Sequence, residues 1–97
     1  MATIDIRRNH NLGLDAAKQK AELLANGMKV MLGIQWRWDG DNIKFDAPSG
    51  MAKGANGTVT CAATSIRVEI DLPFLLRPMK GTVESKVNEK LDQALAS

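Results

Sequence analysis

From Thr3 to Arg8 apolar and polar side chains alternate, with Ile4 and Ile6 on one side and Thr3, Asp5 and Arg7 on the other. That period of two predicts a half-buried strand. Asn9-His10-Asn11 breaks it with turn-prone side chains. From Leu14 the period lengthens: Ala17, Ala21, Leu24, Met28 and Met31 form a stripe, while Lys18, Lys20, Glu22 and Lys29 fall elsewhere. The stripe predicts one amphipathic helix of about five turns, with Asp15 as N-cap or first-turn acid. Gly27 is its weak point, since an interior glycine costs about 1 kcal/mol against alanine. Either Asn26-Gly27 ends the helix and Met28–Leu32 is a strand, or the helix runs on to Gly33. The unbroken stripe favours the second, with Gly33 as C-terminal cap.

Ile34, Trp36 and Trp38 then share one side of a second alternating run, Ile34–Trp38. Asp39-Gly40-Asp41-Asn42 is a turn signal, and Ile43 and Phe45 resume the alternation, so Ile34–Asp46 predicts a hairpin. Ala47–Gly57 holds three glycines, a proline and little that packs, which predicts a long flexible hairpin loop. Two more strands follow. Thr58–Ala63 carries Val59, Cys61 and Ala63 on one side, and Ile66–Leu72 sets Ile66, Val68, Ile70 and Leu72 against Arg67, Glu69 and Asp71. Past a corner at Asp71–Lys80, a helix capped by Gly81 or Thr82 carries Val83, Val87, Leu91 and Leu95 on one stripe, with Ala94 widening it.

The order is β-α-β-β-β-β-α. Strands with one apolar and one charged face belong to an antiparallel sheet covered on one side. Both helices must then pack on the same face, giving a two-layer α+β fold with about five strands.

Ninety-seven residues predict one domain, residues 1–97. A chain of this length buries roughly 60–65% of its unfolded surface, enough for a core without staples. With 44% hydrophobic and 25% charged residues the composition is globular. The net charge of +2 comes from interspersed acids and bases, without the clustered cations and interleaved aromatics of a nucleic-acid surface. One cysteine, Cys61, allows no internal disulfide, which suits a reducing compartment. No apolar leader core is visible at the N-terminus, and no run approaches the ~20 apolar residues of a membrane span. The expectation is a cytoplasmic protein whose membrane or lipid contacts are peripheral.

Candidate chemistry is sparse. His10, the sole histidine, has no nucleophile near it in sequence and sits among turn residues. Cys61 lies on an apolar register, where a free cysteine acts as a small hydrophobe. No metal-ligand spacing is present. Asp39 and Asp41 flank a turn glycine, and Gly50, Gly54 and Gly57 match no phosphate loop. The chain is therefore expected to be no enzyme, with no catalytic residue, cofactor or metal. Trp36 and Trp38, on an inward register, are read first as core. The alternative is that one of them lines, with Phe74, an apolar ligand groove between sheet and helix. Arg7, Arg37, Lys44, Arg67, Glu69 and Asp71 fall on the opposite register and read as a solvated, cross-paired sheet face.

The corner, DLPFLLRPMK, is different. Pro73 ends the strand or confines it to an edge, and Pro78 suits the first position of a helix. Between them Phe74, Leu75 and Leu76 are consecutive, and three consecutive apolar residues cannot all face one core. The segment is either core packing or a contact surface, with Arg77 and Lys80 at its polar rim.

Three stretches, Ile4–Ala25, Ile34–Phe45 and Phe74–Gly81, resemble the polyhydroxyalkanoic acid system family of bacteria, as does the opening pattern Arg7, Arg8, His10, Leu12, Gly13, Asp15. The resemblance spans nearly the whole chain. It implies a small protein encoded with polyhydroxyalkanoate synthesis and utilisation genes, some members lying on storage granules, and it carries over no catalytic residue. The strand order is also similar to a reduced helix-grip domain, whose larger members clasp apolar ligands under a C-terminal helix.

Two functions follow. The first is a non-enzymatic accessory protein that docks on the granule surface or on a granule protein through Phe74, Leu75 and Leu76. The second is a soluble carrier or sensor of a hydroxyacyl or fatty-acid-like molecule in a cavity beside Trp36, Trp38 and the last helix. A homodimer through a free strand edge is compatible with either.

Overall fold

A computed structural model of the chain describes residues 3–50 and 52–96. Its elements run β1 (Ile4–Asn9), α1 (Leu14–Leu32), β2 (Gln35–Asp39), β3 (Asn42–Asp46), β4 (Asn56–Cys61), β5 (Ser65–Asp71), a 3-10 segment (Phe74–Met79) and α2 (Lys80–Ala96). The strands form one antiparallel sheet in the order β1-β5-β4-β3-β2. The architecture is the two-layer α+β fold expected from the alternation.

Register shows why one face is apolar. Ile4 pairs with Ile70, Ile6 with Val68, Val68 with Val59 and Val59 with Ile43. All six are buried, and both helices lie over them. Helix α1 crosses β2 to β5, while α2 lies over β1 and beside α1. Leu24 and Met28 of α1 and Val87 and Leu91 of α2 are fully enclosed. Each contributes roughly 1.5–3 kcal/mol relative to exposure.

Helix α1 runs unbroken through Gly27 and ends at Gly33, which takes the left-handed conformation and donates its N–H to Lys29 O. The two helices are antiparallel neighbours, with the aliphatic stem of Lys90 crossing Gly27 and Leu23 opposite Gln93 and Ala94.

Several expectations need correction. Strand β4 begins two residues early, at Asn56 rather than Thr58, because Asn56 and Gly57 pair with Asp46 and Phe45 on one side and with Asp71 and Ile70 on the other. The strand ends at Cys61, and Ala63 lies exposed in the β4–β5 turn. The segment after β3 is the expected hairpin loop between β3 and β4, but it packs: Ala47, Ala52 and Ala55 are buried, and Ala47 donates its N–H to Ala55 O and Gly54 its N–H to Ala47 O. Its residue Met51 lies outside the described residues. Helix α2 starts at Lys80, ahead of Gly81 and Thr82, and Pro78 sits inside the 3-10 segment rather than at the helix's first position.

Candidate docking surface

The corner begins where Leu72, buried, donates its N–H to Thr3 Oγ1 at 3.2 Å. Pro73 takes extended angles (φ −61°, ψ 157°) and turns the chain out of the sheet. The Ala47–Ala55 segment packs against that ring; a Cβ on Gly54 would stand 3.2 Å from Pro73 Cγ. Leu76 N–H then donates to Pro73 O at 2.8 Å and closes the first 3-10 turn.

With three residues per turn, side chains three apart eclipse. Leu76 and Met79 share one line and are half-buried against the core. Phe74, Arg77 and Lys80 share a second line, and Leu75 and Pro78 a third, all of them exposed. Phe74 is 79% and Leu75 86% exposed, adjacent on a segment braced at both ends. The core reading describes Leu76 in part and does not describe Phe74 or Leu75. Arg77 and Lys80 stand beside Phe74 with no ion-pair partner among the described residues.

Trp36 and Trp38 face the helix side, opposite Phe45 and Ile43; Trp36 packs partly against the core and Trp38 lies outside it. Trp36 is half-buried and Trp38 is 36% exposed. The reason is position: β2 is the edge strand, and α1 only partly overhangs it. Trp36 Nε1 donates to Asn26 Oδ1 of α1 at 3.1 Å. Lys18 Nζ lies 5.2 Å from the Trp38 ring centroid and pairs with Asp41 at 3.1 Å. The two indoles meet edge to face at 6.1 Å. Helix α2 covers β1, at the opposite edge of the sheet. The tryptophans and the last helix therefore do not flank a common cavity, and the expected site residues divide into two separate groups.

Comparison with known proteins adds a setting. The family model described as "Putative polyhydroxyalkanoic acid system protein" matches residues 4–95. The chain belongs to this family. Among solved structures it is similar to TTHA0849 from Thermus thermophilus, with a TM-score of 0.58 and 16% identity over 96% of this chain and 97% of that one. That likeness is one of fold. No curated protein sequence matches the chain.

In this chain the opening pattern builds the β1–α1 junction. Arg7 is exposed on the outer face. His10, among the turn residues, accepts the Leu12 N–H on Nδ1 at 3.1 Å. Gly13 donates to Ala63 O and accepts from Ala17 N–H. Arg8 is the residue the alternation left unassigned. It shares the inward register of Ile4 and Ile6, and its guanidinium pairs with Asp92 and donates to Asn88 Oδ1 at 2.9 Å, latching α2 to the sheet. The available signal was a cation on an apolar register, facing Asn88 and Asp92 one turn apart on a helix.

The outer sheet face is polar and cross-paired. Arg67 holds both Asp5 oxygens, at 2.9 and 2.6 Å, and stands 3.6 Å from Glu69, while Lys44 pairs with Asp39 at 3.4 Å. The carboxylates flanking Gly40 are thus both ion-paired across the surface. Cys61 is buried, and desolvation pushes its thiol above the ordinary range, which keeps it protonated. Among the described residues no three His, Cys, Asp or Glu side chains gather as metal ligands, and no helix is long and apolar enough to cross a membrane.

Proposed function

We propose that this family member is a non-enzymatic accessory of the polyhydroxyalkanoate storage system that docks on the granule surface through its corner. The observation that carries the reading is the adjacent exposure of Phe74 and Leu75 on a segment fixed by Pro73 and by half-buried Leu76 and Met79. Two large apolar side chains kept in water by a rigid mount lose little further entropy on binding, which favours association. Burying both would contribute roughly 1.5–3 kcal/mol each before association costs. Arg77 and Lys80, aligned with Phe74, form the polar rim and suit a surface carrying negative charge.

Co-sedimentation with native granules and with protein-free polyester particles tests this. The wild type is expected in both pellets, and a doubly substituted F74S/L75S variant in neither. Pelleting with native granules alone would place the partner among the granule proteins. Undiminished pelleting of the folded double variant would remove the corner from the interaction.

A further inference from the structure

The hairpin turn at Gly40-Asp41 shows what the edge strand offers. Gly40 has φ 64° and no other residue type has positive φ among the described residues, the pattern of a type II′ turn with glycine at its first central position. Such a turn closes on a hydrogen-bonded pair, here Asp39 with Asn42. Antiparallel alternation then turns the main-chain groups of Asp39, Arg37 and Gln35 toward β3, and those of Trp36 and Trp38 outward to the free edge.

Edges are ordinarily blunted by lysine, proline, a bulge or an overhanging element. The β1 edge has such cover: Ile4 and Ile6 are buried under α2, and Arg8 ties that helix down. Strand β2 is less protected: α1 overhangs it only in part, and the charges it carries are Arg37 and Asp39. Its five residues pair with β3 in unbroken register, hold no proline or lysine, and leave two indoles partly in water.

We propose that β2 pairs antiparallel with β2 of a second copy of this chain, joining two sheets into one. A two-fold seam allows a small set of registers that keep the tryptophans on the helix side. A seam centred on Arg37 would oppose two guanidinium groups. Centring on Trp38 instead sets Arg37 of each copy opposite Asp39 of the other, making two ion pairs on the outer face. The same register lets Trp38 exchange its edge hydrogen bonds with its own copy, and the exposed indoles close over each other on the helix face. Centring on Trp36 would set Arg37 opposite Gln35, so of these registers the Trp38-centred one is favoured by charge complementarity within the strand.

Analytical ultracentrifugation tests the seam, with circular dichroism to show that each variant is folded. The wild type is expected as a concentration-dependent dimer. R37D makes both outer positions acidic and D39R makes both basic, so each alone sediments as a monomer. An equimolar mixture restores the dimer, because acid then faces base at both pairs. Dilution of the wild type should also shift tryptophan emission to the red as Trp38 returns to water, a readout that needs no variant. A wild type that is monomeric at every soluble concentration would overturn the proposal. So would a D39R protein that remains dimeric.

Discussion

Arg8 and Asp92 are 84 positions apart in the chain and meet at the sheet margin, guanidinium to carboxylate. The second guanidinium nitrogen is held by Asn88, one helical turn before Asp92. Helix α2 has a small apolar stripe, and these polar contacts fix its angle where the sheet ends.

Replacing Arg8 with alanine should therefore cost about 1–2 kcal/mol, since it removes two hydrogen bonds and leaves a half-buried site unfilled. Asp92→Ala should cost under about 1 kcal/mol, because Asp92 is 60% exposed and surface pairs are weak. Urea denaturation of both single variants and the double variant should return a coupling of about 0.5 kcal/mol or more. Strict additivity would show that the pair is not held in solution.

The two interior glycines should respond in opposite directions. Gly27 has helical angles, and the nearest atom to an added Cβ, Lys90 Cδ, is 3.4 Å away at ordinary contact. Gly27→Ala should stabilise the fold by up to about 1 kcal/mol through helix propensity. At Gly57 a Cβ would lie 2.2 Å from Glu69 O and 2.5 Å from Phe45 Cζ, because the Phe45 ring lies across the glycine. Gly57→Ala should cost about 1–3 kcal/mol, the usual range for overpacking a filled site. Thermal melts of the two variants should move to opposite sides of the wild type.

Some of this could be read from the chain and some could not, for identifiable reasons. A sheet covered on one side writes its faces into strict alternation, so Ile4, Ile43, Val59 and Val68 declared themselves as core. Alternation assigns a face but not a place across the sheet. Trp36 and Trp38 share the apolar face, yet only pairing order shows that β2 is an edge beyond the helix's full cover. Consecutive apolar residues at Phe74–Leu76 signalled an excess of hydrophobic surface without giving its period. Three residues per turn, rather than two or 3.6, decides that Leu76 turns inward while Phe74 and Leu75 turn out. Ala47, Ala52 and Ala55 were hidden by size: three alanines contribute little to any pattern, yet all three are buried.

The Asp5–Arg67 pair predicts a response to acid. Arg67 donates to both carboxylate oxygens of Asp5, and these bonds hold its carboxyl below the usual aspartate range. The charges of Arg67 and Arg7 act in the same direction, and desolvation opposes them. In the unfolded chain the group returns to about 3.9. A depressed folded value means that the unfolded state binds the proton first, so stability falls as pH falls. The contribution is fully present above about pH 3.9 and disappears as pH drops through the folded value. An R67M variant should therefore be less stable than the wild type near neutrality, and the gap should close as the solution is acidified below the unfolded value. Carbon-13 titration of the Asp5 carboxyl should show its midpoint below the ordinary one in the wild type and restored in R67M. A wild-type midpoint at or above the ordinary value would mean that Arg67 does not hold Asp5 in solution.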